Sequence, residues 1–393
     1  MNIKERIEAI QSHMKQHKID GWLLYDYEGT NTLATQFLEI GQDVMLTRRL
    51  FYWVPASGTP VALVHAVEED VVGHLPGEKK TYTGRHTLVS LLEKELAHAK
   101  TIAMEYSPHG NLPNVSMVDG GTIDLIRSFG KEVISSGNFL QEVICVLSKK
   151  QLESHTFAAK VIREALDASW ELIRQKKAGI SEYEVQQGIV AIFEKNGCTF
   201  EGGPIVAFGK NAANPHYEVI ETKAASLKEG DLVLIDLWCK KRDEGAVYAD
   251  VTEMGIFANK ATQKQEEVFA AVFQAQDEAL SLLLNRYAHG EIVKGFELDE
   301  VARTTITEAG YGQFFTHRLG HNIYTADHGP GANLDSFESI DDRQLIRGSC
   351  FSIEPGIYIP NEIGVRLELD VYIPFEGEPQ VTTGQQKNLI FLQ

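Results

Sequence analysis

The feature that most restricts how this chain can fold is a repeat. Gly179-Ile180-Ser181-Glu182-Tyr183-Glu184-Val185 and Gly295-Phe296-Glu297-Leu298-Asp299-Glu300-Val301 share Gly, Glu and Val at the same offsets. Each copy follows a long helical pattern and precedes strand patterns. In the first copy, Ala158, Ile162, Leu166 and Trp170 recur at near-helical spacing, and the run ends by Gly179. Ser181 with Glu184 then forms a capping box for a second helix that stops at Asn196-Gly197. Strand-like segments follow at Pro204 to Phe208, Asp231 to Cys239 and Val247 to Phe257. In the second copy, a long helix from Thr262 to Tyr287 is followed by a shorter one from Leu298 to Ala309, closed by Gly310. Two such halves, 151–260 and 261–393, predict one curved sheet with helices on its outer face and a cleft between the halves.

Ahead of the repeat, residues 1–148 alternate between helix and strand patterns. Helices are expected at Ile3 to His17, His86 to Ala99 and Gly121 to Phe129, with strands at Gly21 to Tyr25, Leu50 to Val54, Val61 to Val64 and Thr101 to Glu105. That is a smaller α/β domain, and the pattern changes at Leu147-Ser148-Lys149-Lys150. The whole chain therefore reads as α+β, with domains 1–148 and 149–393. The N-terminal histidines (His13, His17, His65, His74, His86, His98 and His109) are dispersed and read as surface or packing residues.

A hydrophobic content of 43% over 393 residues supports full cores. The net charge of -18, without clustered Lys and Arg, argues against nucleic-acid binding. No window is apolar for long enough to span a bilayer, and the charged N-terminus does not look like a secretory signal. Cys145, Cys198, Cys239 and Cys350 lie far apart, as reduced core thiols of a cytoplasmic protein would.

The chemistry lies in carboxylates set into strand patterns, where they are poor choices unless they face water or a partner. Asp236 closes Leu232-Val233-Leu234-Ile235, Asp250 sits in Val247 to Thr252, and Glu354 follows Phe351-Ser352-Ile353. In Val365 to Val371, a period of two puts Arg366, Glu368 and Asp370 on one face. Any one of these carboxylates is most simply solvent-facing or salt-bridged. Converging in a cleft they would repel one another, and Arg366 alone cannot neutralise them. His321, in Thr316-His317-Arg318-Leu319-Gly320-His321, adds a nitrogen donor, completing a ligand set for one or two divalent ions such as manganese, cobalt, iron or zinc. H-E-x-x-H and G-x-S-x-G are both absent, which excludes thermolysin-like zinc sites and the α/β-hydrolase nucleophile.

Phe351 to Tyr358, Gly364 to Glu368, the Gly320-His321 pair, Asp236 and Asp250 together resemble the pita-bread metallopeptidase family, which includes aminopeptidase P, prolidase and, without metal, creatinase. The resemblance covers most of 151–393 and extends loosely over the N-terminal domain. It implies two divalent metal ions, manganese or cobalt first and zinc or iron after them, held by Asp236, Asp250, His321, Glu354 and Glu368. It further implies hydrolysis of Xaa-Pro bonds in short peptides by a metal-bridging hydroxide. Glu354 would shuttle a proton, His216, His317 and His328 would hold the substrate, and Arg366 would support the ligands or the substrate. The implied partner is a proline-containing peptide, and homodimerisation is a family expectation that the residues do not themselves carry.

The chain departs from the family pattern at Trp238, at Val251-Thr252-Glu253-Met254, at Asn322 and Tyr324, at Gly329, and in a longer Asp236–Asp250 interval. A metal-free creatinase-like C–N hydrolase and a catalytically silent peptide-binding module on the same fold are the competing readings. Either would be marked by lost ligands, and none is lost.

Overall fold

The computed structural model describes residues 2–41 and 43–393, divided into two compact units, Met1–Ile144 and Cys145–Gln393. The division falls just ahead of the Ser148 N-cap, whose hydroxyl accepts from the Gln151 amide to start the 28-residue helix Lys149–Lys176.

The first unit is a six-stranded mixed sheet ordered Glu78–Tyr82, Val61–His65, Leu50–Pro55, Gly21–Asp26, Thr101–Met104, Glu132–Ser135. Its central strands are buried throughout, so they read as continuous apolar runs without alternation. Short elements, such as Thr32–Phe37, Glu78–Tyr82 and Gly137–Ile144, have no counterpart in the sequence pattern. Glu105 is fully buried here and accepts hydrogen bonds from Trp22 (2.5 Å), Asn31 (2.9 Å) and Ser136 (3.2 Å). Burial still holds its carboxyl up at about 7.

In the second unit the two copies of the repeat have matching elements. Lys149–Lys176 is followed by Glu182–Lys195, and Gln263–Ala288 by Gly295–Glu308, which begins three residues ahead of the expected Leu298. An apolar core lies under each pair: Ile162, Leu166, Ile189 and Val233 under the first, Val272, Leu283, Leu298 and Ile353 under the second. The sheet layer has three hydrogen-bonded pieces. Antiparallel strands Leu232–Lys241 and Ala249–Ile256 centre a five-stranded piece, Cys350–Ile353 and Leu369–Tyr372 centre a four-stranded piece, and Gly356–Ile359 pairs with Ile363–Arg366. The continuous strand expected from Val365 to Val371 is therefore broken. Leu367 donates to Pro355 and Glu368 to the Thr252 carbonyl, so the chain crosses from one piece to the next at Glu368. That crossing brings the acidic faces of the pieces together. All four cysteines are free and buried, and among the described residues no helix is long and apolar enough to cross a membrane.

Candidate metal centre and substrate cleft

Register places the acidic residues. Asp236 lies opposite Thr252, and Asp250 opposite Trp238, so these four side chains share one face of the antiparallel pair. Asp250, His321 and Glu368 each offer a donor atom, all within 4.8 Å of one another, and all three residues are buried. His321 Nε2 is 3.3 Å from Glu354 Oε1 and 3.9 Å from Asp250 Oδ2. Asp236 forms a buried ion pair with Arg366. Arg366 also donates to Thr252 Oγ1 (3.0 Å) and the Tyr358 hydroxyl (3.0 Å), and the Thr252 hydroxyl in turn donates to Glu368 Oε2 (2.8 Å). Asp370 stands behind, accepting the Asp250 amide at 2.8 Å.

The histidine loop is fixed from beneath. Arg303, paired with buried Asp299, donates to the Phe315 and His317 carbonyls, and Asp299 accepts the Leu319 amide. The Glu354 amide bonds the Leu319 carbonyl (2.7 Å) and the Ser352 amide the His321 carbonyl (2.9 Å), so the loop and the Glu354 strand are stitched together.

The donor set fits a divalent cation. Asp250 Oδ1, Glu368 Oε1, Asp370 Oδ1 and Asp327 Oδ1 are buried with no hydrogen-bonding partner among the described residues, a costly arrangement for carboxylates that lack a cation. Burial first, and then the charges of their neighbours, push Asp250 and Glu368 well above the carboxylate range, and burial holds Glu354 up at about 7. Burial drives His321 well below the usual imidazole value, which leaves a neutral ring with a lone pair for a metal.

A cleft of about 190 Å³ opens beside this cluster, lined in part by His216, His317, Arg318, His328, Glu354 and Arg366. A second cavity of about 460 Å³ shares His216 with it and is lined by Phe200, Ile205, Val219 and Trp238 among others. His317 Nδ1–H donates to the Arg318 carbonyl (2.7 Å), so its Nε2 accepts from Tyr358 (2.9 Å); both ring nitrogens are engaged within the protein. His328 is exposed, its ring centroid 4.2 Å from that of His321, and its Nδ1 accepts from Arg318 Nη2 (3.3 Å). Arg318 Nε is buried without a partner among the described residues.

The departures from the family pattern find structural places. Glu253 faces away from the cluster, accepting from Arg163 (2.5 Å) and Trp170 (3.2 Å). Asn322 ties Cys350 to Gly331, and a Cβ at Gly329 would fall on the Asn322 amide and Tyr324, so those departures form one packing solution. Trp238 donates its indole N–H to the Glu201 carbonyl at 2.9 Å. Asp327, Arg318, Tyr358 and Thr252 also reach the site, and the sequence pattern does not mark them. The first two lie in an aperiodic loop and only the contacts reveal them, whereas Thr252 could have been found from its period-two spacing to Asp250.

A family model described as metallopeptidase family M24 matches residues 153–374. The Xaa-Pro dipeptidase of Pyrococcus furiosus is 30% identical over 400 residues, spanning 98% of this chain and 100% of its own length. The putative dipeptidase YkvY of Bacillus subtilis is 31% identical over 269 residues, 67% of each chain. In fold, the chain resembles the dipeptidase PepE from Mycobacterium ulcerans (TM-score 0.69, 20% identity, covering 99% and 98%). It also resembles an Xaa-Pro dipeptidase from Bacillus anthracis (TM-score 0.63, 22% identity, covering 99% and 100%). With more than half of its length matched and a full-length relative at 30% identity, the chain belongs to metallopeptidase family M24.

Proposed function

We propose that this protein is a dinuclear metal-dependent dipeptidase that cleaves Xaa-Pro bonds, with Asp236, Asp250, His321, Glu354 and Glu368 holding two divalent ions. The observation that carries the reading is the convergence of Asp250, His321 and Glu368 with carboxylate oxygens left unpartnered beside a cleft that contains a guanidinium with no carboxylate to pair it among the described residues. When bound, such ions acidify water and polarise the scissile carbonyl. The protein's own groups supply the rest. Glu354, held near neutrality by burial and touched by the Ser352 hydroxyl at 3.2 Å, can take a proton and deliver it to the leaving nitrogen. Arg366 fixes Asp236, Thr252 and Tyr358 in one network, so the ligand cluster is pre-organised. Proline suits such a site because its nitrogen has no N–H to be anchored, so recognition must come from the ends of the substrate.

Arg318 selects a dipeptidase over an aminopeptidase P. Arg366 is committed to the ligand network, whereas Arg318 lines the cleft with a guanidinium that has no carboxylate partner among the described residues, only its backbone amide reaching Glu338 (3.3 Å). A leaving residue with a free carboxylate would complete it. Arg318→Met is expected to lower kcat/KM for Ala-Pro by roughly ten- to a hundredfold, chiefly through KM, the worth of a charge-assisted hydrogen bond. Hydrolysis of Ala-Pro-amide should change little. An unchanged ratio of dipeptide to amide would remove the case for a dipeptidase.

The reaction itself is tested by metal analysis of the purified protein, followed by assays of Ala-Pro and Ala-Pro-Ala with manganese or cobalt added. Bound metal and cleavage of the dipeptide alone are expected. A protein that neither retains metal nor cleaves either peptide would refute the proposal.

A further inference from the structure

Next to the five-residue ligand set, and adjoining His328 of the cleft, stands the carboxylate of Asp327. Asp327 lies within hydrogen-bonding reach of Asp250 and feels the charges of Asp236, Glu354 and Glu201. Its Oδ1 is buried and has no partner among the described residues. We propose that Asp327 binds the free α-ammonium of the substrate's first residue, and that Asp327 and Arg318, one on each side of His328, select peptides two residues long. This deepens the dipeptidase reading and rests on it.

Three observations carry the assignment. The first concerns cations. The imidazole of His328 approaches Asp327 no closer than 3.8 Å, and its Nδ1 already accepts from Arg318. Lys240, on the same strand as Asp236 and Trp238, is turned to the Thr325 carbonyl (2.5 Å) and the ring face of Tyr248 (4.7 Å). No ammonium or guanidinium of the protein lies within 4 Å of Asp327 among the described residues.

The second observation is Tyr248. Its hydroxyl is buried with no hydrogen-bonding partner among the described residues, and the charge of Asp327 acts on it. A phenol is a poor ligand for a divalent metal but a ready acceptor for an N–H. Two unfilled acceptors, one anionic and one neutral, suit an ammonium with three protons better than a further metal ion.

The third observation is span. One imidazole separates the two ends: Arg318 Nη2 lies 3.3 Å from His328 Nδ1, and Asp327 Oδ2 lies 3.8 Å from His328 Nε2. Two extended residues reach roughly 7 Å, the right order to join unlike charges so placed. A longer peptide would carry its carboxylate past Arg318, and a blocked N-terminus would leave Asp327 desolvated and unpaired.

The test compares Ala-Pro with lactoyl-proline, in which a hydroxyl replaces the ammonium. Ala-Leu and lactoyl-leucine are run in parallel, so the ammonium comparison survives if the proline preference fails. Calorimetric titration of the same pairs into metal-free protein gives the ratio without turnover. The wild type should favour each amine roughly a hundredfold. Asp327→Asn should collapse that ratio to within about threefold, mostly through KM, and Asp327→Glu should restore part of it, with metal content by mass spectrometry unchanged in both. A ratio retained in Asp327→Asn overturns the proposal. So does loss of metal with amine and hydroxyl substrates weakened alike, which would make Asp327 a metal ligand.

Discussion

Glu354→Gln is expected to lower kcat/KM for Ala-Pro by about a thousandfold or more while leaving the far-ultraviolet circular dichroism unchanged. The glutamine keeps the shape of the side chain, its contact with the Ser352 hydroxyl and the backbone bond from residue 354 to the Leu319 carbonyl. What it loses is the ability to hold and release a proton, together with one anionic donor to the metal. Both losses fall on the transition state, so kcat should drop with kcat/KM. The fold should not suffer, because removing one charge from a crowded group of carboxylates relieves repulsion in the metal-free state. The metal-free variant should therefore melt at or above the wild-type temperature at pH 8. A fully active variant would show that Glu354 has been given the wrong role, and a variant that fails to fold would show that its carboxylate is structural.

The ligand carboxylates were legible because they break a local rule. Asp236, Asp250, Glu354 and Glu368 interrupt apolar strand patterns, and an acid there needs a partner. His321 was legible with them because Gly320 and Gly329 to Gly331 argue against a helix, and the structure has none over that stretch. The repeat was legible from the Ser181 cap and the long helical periods, which are local properties. What could not be read depends on how distant segments meet. The crossing at Glu368 is set by the Thr252 carbonyl, 116 residues away in sequence, so the period of two from Arg366 to Asp370 misleads although all three residues still reach the site. Arg318 and Asp327 sit in a loop with no period, and Glu253, a departure from the family pattern beside the site residues in sequence, is turned away to Arg163 and Trp170.

Removal of the metal should reverse the usual effect of mild alkali on stability. The histidines of the unfolded chain are about half protonated at pH 6.5 and neutral by pH 8, whereas His155, His317, His321 and His328, whose values are depressed, are neutral in the fold throughout. Each therefore adds only about 0.4 kcal/mol of stability across that window, less than a raised carboxyl removes. The carboxyls act the other way. Unfolded they would have lost their protons near pH 4, but in the metal-free fold Glu354 and Asp327 titrate at about 7, and Asp250, Glu368 and Asp370 are raised by burial. The folded state therefore holds more protons than the unfolded one, and stability falls as pH rises through the folded values. A carboxyl titrating at about 7 contributes a loss of about 1 kcal/mol between pH 6.5 and 8, and one still protonated throughout contributes about 2. For a unit of this size each kcal/mol lost lowers the melting temperature by roughly 2–4 °C. A divalent cation opposes the loss, because it binds the deprotonated carboxylates and shifts the balance by its affinity for the fold alone. Chelator-stripped protein should thus melt lower at pH 8 than at pH 6.5, and saturating manganese should raise the melting temperature more at pH 8 than at pH 6.5. Scanning calorimetry at both pH values, with and without the ion, decides it. A metal-free melting temperature that climbs with pH, or a manganese effect no larger at pH 8, would mean that these carboxyls are not gathered as the contacts place them.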